Sequence, residues 1–166
     1  MRFRPEHYLE AASERIEQAE DLFRIGHYSL AIDTAGRAVE CVLRAYFFRK
    51  HGMDAKLEAA HDVLRLFKVC GLNAIAMEAR QRRGDSDSEI DRLSQAVVVD
   101  ITTIAHTWSN DVRYASESRL RAELRRKDLH RGVKGDFLRF NAQRLVEAAR
   151  RIVDEGDEKW IRSKRN

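Results

Sequence analysis

The chain has one proline, two cysteines and no long apolar run in its 166 residues. Each shortage excludes something. With its only proline at position 5, the rest of the chain carries no residue that must break a helix. No stretch reaches the roughly 18 apolar residues that would cross a bilayer, so no transmembrane helix and no membrane partner is expected. The opening Met-Arg-Phe-Arg-Pro-Glu-His lacks the apolar core of a secretory signal. Cys41 and Cys70 have no metal-type spacing and read as small buried thiols of a reducing compartment, which predicts the cytoplasm. His27, His51 and His61 add no ligand spacing to them. There is no phosphate-cradling glycine loop and no nucleophile motif, so neither metal nor cofactor is expected. The net charge of +4 permits a nucleic-acid partner without requiring one.

What remains is helix. The 43% hydrophobic content and the length suit one domain with its own core, residues 1–166. Gly26, Gly52, Gly71, Gly84 and Gly156 each follow a helix-like run, as glycine does after a last turn. Pro5 suits a first turn, and Leu9, Ala12, Ile16, Ala19 and Phe23 then step by three and four along a helix over 5–25. Tyr28, Ile32, Ala35, Val39, Val42 and Tyr46 do the same over 28–51. The short connection favours an antiparallel hairpin. Shorter helices are predicted over 59–70 and 72–83. Ser86 and Glu89 form a capping-box pattern ahead of a helix over 87–109, which buries Ile90, Leu93, Val97, Ile101, Ile104 and Trp108. From 115 to 135 the pattern loosens and charge rises. Asp136 can cap a last helix to 155, and 156–166 is expected to fray.

Several local signatures recur in a definite order. Gly26-x-Tyr28 leads into Ala31, Ala35, Ala38, Glu40 and Leu43. His61-x-x-Leu64 opens the next helix, and Arg113-Tyr114 closes the fourth. In this order the pattern resembles the HEPN family. That resemblance implies an all-α, up-and-down bundle of four to five helices, usually a homodimer. Members include ribonuclease toxins, RNA-cleaving parts of antiviral systems, and non-catalytic modules paired with nucleotidyltransferases. The ribonuclease branch carries Arg-x(4–6)-His near the end of the fourth helix, often with a polar residue after the Arg. The matching region here is Asp100-Ile-Thr-Thr-Ile-Ala-His106-Thr-Trp108, with Asp100 and Ile101 where the Arg would be. The spacing also occurs at Arg2 to His7, Arg44 to His51 and Arg125 to His130, about as often as chance placement gives in so arginine-rich a chain.

His106 with Arg113 is the leading polar pair. RNA cleavage without metal needs a base for the 2′-OH and a cation for the crowded phosphate, roles these two could fill, or each could serve the bundle and a helix end. Asp33, Arg37, Glu40 and Arg44 make a second stripe, either lining a dimer cleft or forming a solvated ion-pair ladder. A third candidate is the basic span 113–139, with nine Lys and Arg against four acids. Arg119, Arg121, Arg125, Arg126, Lys127 and Arg131 are its expected nucleic-acid contacts, directed at phosphate because no aromatic interleaves 115–136. Trp108, Tyr114, Phe137 and Phe140 are expected in the core. Three functions follow from this resemblance and these sites. The first is a self-associating module that binds RNA or a partner protein, an antitoxin or nucleotidyltransferase, in a defence or toxin–antitoxin setting. The second is a divergent metal-independent endoribonuclease using His106 and Arg113. The third is a purely structural interaction domain.

Overall fold

Seven α-helices and one 3-10 turn make up the described residues, 3–57 and 62–163, of the computed structural model, and no strand occurs among them. The helices are α1 (Pro5–Arg24), α2 (Tyr28–His51), α3 (Val63–Cys70), α4 (Leu72–Arg83), α5 (Asp87–Thr107), α6 (Glu117–Arg126) and α7 (Phe137–Ser163), with the 3-10 turn at Asn110–Tyr114. The all-α expectation therefore holds. Four long helices build the bundle, and three short ones fill its ends.

Leu9, Ala12, Ile16 and Ala19 form the buried stripe of α1, packed on α2. The chain turns between them within three residues. The buried face of α2 is far wider, running from Ala31 to Phe48. A helix apolar on so many sides must be covered on several of them. It packs against α1, α3 and α7, and so lies at the centre. Ser13 Oγ donates to Asp157 Oδ2 at 3.0 Å, and Arg150 Nε donates to Glu20 Oε1 at 2.7 Å, which sets α1 antiparallel to α7.

Asp62 Oδ1 accepts from the Arg65 N–H at 3.0 Å and starts α3, while His61 lies outside the described residues. Ser86 Oγ accepts from the Glu89 N–H at 3.3 Å, half of the expected box, and the Glu89 carboxylate turns to Arg92 at 3.8 Å. Asp136 Oδ1 accepts from the Leu138 N–H at 2.9 Å, so α7 begins as predicted.

Three expectations need correction. Helix α5 stops at Thr107, because Trp108 turns extended and folds its ring onto α2. Arg113 and Tyr114 therefore lie on the separate 3-10 turn and do not end that helix. Residues 117–126, placed in the loosened stretch, form α6, capped by Ser116 Oγ on the Arg119 N–H at 3.3 Å and pinned by buried Leu120 and Leu124. Finally, 156–163 continues α7 rather than fraying. Gly156 is buried against Val42, and its carbonyl accepts from the Tyr46 hydroxyl at 2.7 Å. Lys159 and Trp160 are buried beyond it, and the Arg49 guanidinium lies 4.5 Å from the Trp160 ring centre.

Candidate functional site

The end of α5 is held by one tryptophan. Trp108 is fully buried, and its Nε1–H donates to Asp33 Oδ1 at 3.3 Å. Its ring covers Gly36, whose missing side chain makes the room. Two residues back, His106 is exposed on the last turn of α5. The His106 backbone carbonyl accepts from Lys127 Nζ at 2.9 Å, so the residue that follows α6 brings an ammonium to the same place, with the Glu123 carboxylate 3.8 Å from it.

His106 sits on a groove of about 220 Å³ between α5 and α7. Val98, Val99, Thr102 and Thr103 form the α5 wall, and Asn141 and Arg144 come from α7. Leu129 closes one end. Asn141 is locked: its amide donates to the carbonyls of Leu129 (2.8 Å) and Phe137 (2.7 Å). The antiparallel crossing of α5 and α7 is fixed by Arg151, whose Nε and Nη2 donate to the two oxygens of Asp100 at 2.9 and 2.7 Å.

These contacts redistribute the candidates. Arg113 does not line the groove; it is exposed, with its guanidinium 5.7 Å from the Tyr114 ring centre. Arg144 lines it together with His106 instead. Neither residue at the place of the motif Arg faces the groove, since Asp100 is buried in its pair with Arg151 and Ile101 is in the core. Val99, seven residues before His106 on the same face, does face it and is 61% exposed. The other Arg–His spacings lead elsewhere. His7 Nδ1 accepts from the Arg4 N–H at 3.2 Å, with Arg2 outside the described residues. Arg44 donates to Glu40 while His51 meets the Val69 carbonyl. Arg125 and His130 both lie against Phe137.

The α2 stripe pairs as its spacing predicts, Arg37 with Asp33 and Arg44 with Glu40. It is not a solvated ladder, because Asp33 and Glu40 are both buried. Asp33 serves Trp108 as well as Arg37, and its carboxylate raises the Arg37 pKa.

The basic span is less free than its composition implies. Arg121 is bonded to Asp136 at 2.7 Å and to Glu117 at 2.9 Å, Arg126 to Glu123 at 2.6 Å and Arg131 to Asp128 at 3.0 Å. Arg121 holds the Asp136 carboxyl below its ordinary pKa. The pairing is thus intact above the usual carboxylate range and is lost as pH falls through that depressed value. Arg119 adds to the positive charge that lowers the Glu123 pKa, and Arg125 lies 5.1 Å from the Phe137 ring centre. Two aromatics leave the expected core: Tyr114 is 79% exposed and Phe140 41%. Trp108 is core, and Phe137 is half-buried beneath Arg121 and Arg125. Both cysteines are free thiols, and burial pushes Cys70 up to about 11.

Local spacing does not point to Arg144, which lies on another helix far along the chain from His106. A sequence signal exists nonetheless. Arg144 and Arg151 are seven apart on α7, with Asn141 one turn earlier, a polar edge beside the apolar stripe of Leu138, Ala142, Leu145 and Ala149.

The architecture defines a helical bundle whose fifth helix ends in a histidine beside a cation-bearing groove. A family model for the HEPN domain matches residues 5–160, and the chain belongs to the HEPN family. No curated protein and no solved structure matches the chain.

Proposed function

We propose that this protein is a HEPN module that self-associates and contacts RNA or a protein partner in a defence or toxin–antitoxin system. It lacks an intact Arg-x(4–6)-His motif at the end of α5. The observation that carries the reading is the α5–α7 groove: it holds His106 and Arg144 and no acid, while the motif's own cation is replaced by Asp100 and Ile101. The exposed Val98 and Val99 on its rim suit self-association, which would set two such grooves in one cleft. A nucleotidyltransferase or an antitoxin fits as the protein partner by family alone. Among the described residues no helix is long and apolar enough to cross a membrane.

RNA binding measured against salt tests this reading. Affinity for single-stranded RNA should fall with a steep log–log slope. Replacing Arg125, Arg126 and Lys127 together by Glu should weaken low-salt binding about tenfold or more, since it reverses three charges, one of them beside His106. Equal affinity for the triple variant would remove the basic span from the RNA surface. Sedimentation of the wild type beside Val98→Glu/Val99→Glu tests self-association. A dimer that becomes a monomer supports it, and a wild-type monomer at tens of micromolar removes it.

A second reading, a metal-independent endoribonuclease, is favoured by the exposed imidazole of His106 at the groove. There His106 would take the 2′-OH proton as the 2′ oxygen attacks phosphorus, a cation would steady the phosphate oxygens, and the 5′ oxygen would leave and take up a proton. Cleavage of total RNA in EDTA, lost in His106→Ala, is the expected result. Arg113 as the cation, the choice the sequence offers, predicts equal loss in Arg113→Ala. Cleavage that survives both changes would place the chemistry elsewhere. No cleavage and no RNA binding would leave the structural interaction domain.

A further inference from the structure

Among the described residues, three concavities bear on ligand binding. Two lie between α1 and α7 and share Glu20, Phe23 and Val146. Their positive groups are largely spent: Arg150 is bonded to Glu20, Arg151 to Asp100 and Arg24 to Asp21. The α5–α7 groove differs in carrying no carboxylate in its lining. Its one full charge is Arg144, which pairs with no acid among the described residues and rests with its guanidinium 5.7 Å from the Phe140 ring centre. The Lys127 ammonium on the His106 carbonyl adds positive charge at its end. Thr102 and Thr107 direct their hydroxyls to helix carbonyls at 2.7 and 3.0 Å, whereas Thr103 makes no such bond.

Resting on the RNA reading above, we infer that Arg144 and His106 together grip one phosphate of single-stranded RNA in the α5–α7 groove, with Phe140 receiving the adjoining base. An unpaired guanidinium offers a planar fork that matches two phosphate oxygens. The imidazole and the Thr103 hydroxyl supply further donors on the facing helix. Size decides which part of a nucleotide enters. A groove of about 220 Å³ is smaller than the roughly 300 Å³ at which pockets begin to enclose a whole ligand. Phosphate and part of the ribose fit, and the base remains outside, where the exposed face of Phe140 beside Arg144 offers stacking. Arg144 comes from α7 and faces α5 across the groove. The cation that the family motif places on the same helix as its histidine would here be supplied by a neighbouring helix.

The test is fluorescence anisotropy of a labelled twelve-nucleotide RNA over a salt series, with an Asp/Glu-rich peptide of equal length as the second probe. Variants are Arg144→Gln, Phe140→Ala and Arg24→Gln; all three side chains are exposed, and thermal melts check that each variant folds. Arg144→Gln should weaken RNA binding about tenfold and lower the salt slope by about 0.7, the loss of one phosphate contact to a single strand. Phe140→Ala should weaken binding without changing the slope. Arg24→Gln, on α1 outside both the groove and the basic span, should change neither. If Arg144→Gln binds as wild type while the Arg125/Arg126/Lys127 reversal loses binding, the RNA reading survives and the groove assignment falls. If the wild type binds no RNA, both fall. Peptide bound as tightly as RNA, and equally sensitive to Arg144→Gln, would assign the groove to an acidic protein partner and overturn the RNA ligand.

Discussion

Gly36→Ala is expected to destabilise the fold by about 3 kcal/mol. In the middle of an ordinary helix this change would stabilise, by roughly 0.8–1.0 kcal/mol. Here the added Cβ would stand 2.3 Å from Cγ and Cδ2 of Trp108 and 2.5 Å from Cε2. No carbon pair tolerates that distance, so the indole must move. It is fully buried, and overpacking of this kind costs about 1–3 kcal/mol. Moving the ring also breaks the Nε1 hydrogen bond to Asp33, leaving a buried donor and a buried carboxylate poorly satisfied, which adds about 1–3 kcal/mol. These two losses outweigh the helix gain. For a domain of this size, each kcal/mol shifts the melting temperature by about 2–4 °C, so a drop of about 6–12 °C is expected. Circular dichroism melts give the number. Tryptophan emission, read in a Trp160→Phe background, should shift to the red as Trp108 meets water. A melting point within about 2 °C of wild type would show that the ring has room to move.

The close packing of Trp108 on Gly36 also explains which parts of the fold were legible. Helices α1, α2 and α4 could be read to within a residue, because three-and-four spacing and a following glycine mark them locally. Gly156 carries the same mark with the opposite meaning. It ends nothing: its missing side chain lets α7 approach Val42 and Tyr46 of α2. One sequence cannot separate a glycine kept for backbone conformation from one kept for close contact, since the partner is more than a hundred positions away. Helix α6 was obscured for a different reason. Only Leu120 and Leu124 of its ten residues are buried, too few to show a period against so many arginines, although Ser116 was available as its cap.

The site was legible in half. His106 follows from one helix and its end, and it does lie at the groove. Its neighbour Arg144 depends on how α5 and α7 cross, a tertiary fact set by Arg151 and Asp100. The basic span shows the converse limit. Composition counts charges, but Asp136, Glu123 and Asp128 engage four of the six named cations directly, Glu123 taking both Arg126 and Lys127, so net charge overstates what is free to meet phosphate.

The same reasoning, applied to a buried charge, gives the other large effect. Glu155→Ala is expected to cost about 3 kcal/mol, the lower end of the range for breaking a buried pair, because Glu155 keeps some exposure. Arg80, 3% exposed on α4, donates Nη2 to Glu155 Oε1 at 2.7 Å, while its Nε and Nη1 are buried without a partner among the described residues. Lys159, also buried, lies 3.9 Å from the same oxygen and keeps Glu158 at 3.6 Å. Glu155 therefore neutralises the junction of α4 and α7, and its removal strands a guanidinium in low dielectric. The cost belongs to the orphaned charge rather than to the bond. Arg80→Met/Glu155→Leu should therefore recover most of the loss, and a double-mutant cycle should show strong coupling. Asp21→Ala, which opens the exposed pair with Arg24, should stay within about 0.5 kcal/mol of wild type. Denaturant midpoints at constant m give all these values. A double variant as unstable as the sum of the singles would mean that Arg80 and Glu155 act independently, and that the end of α7 is held by Tyr46, Trp160 and Gly156 alone.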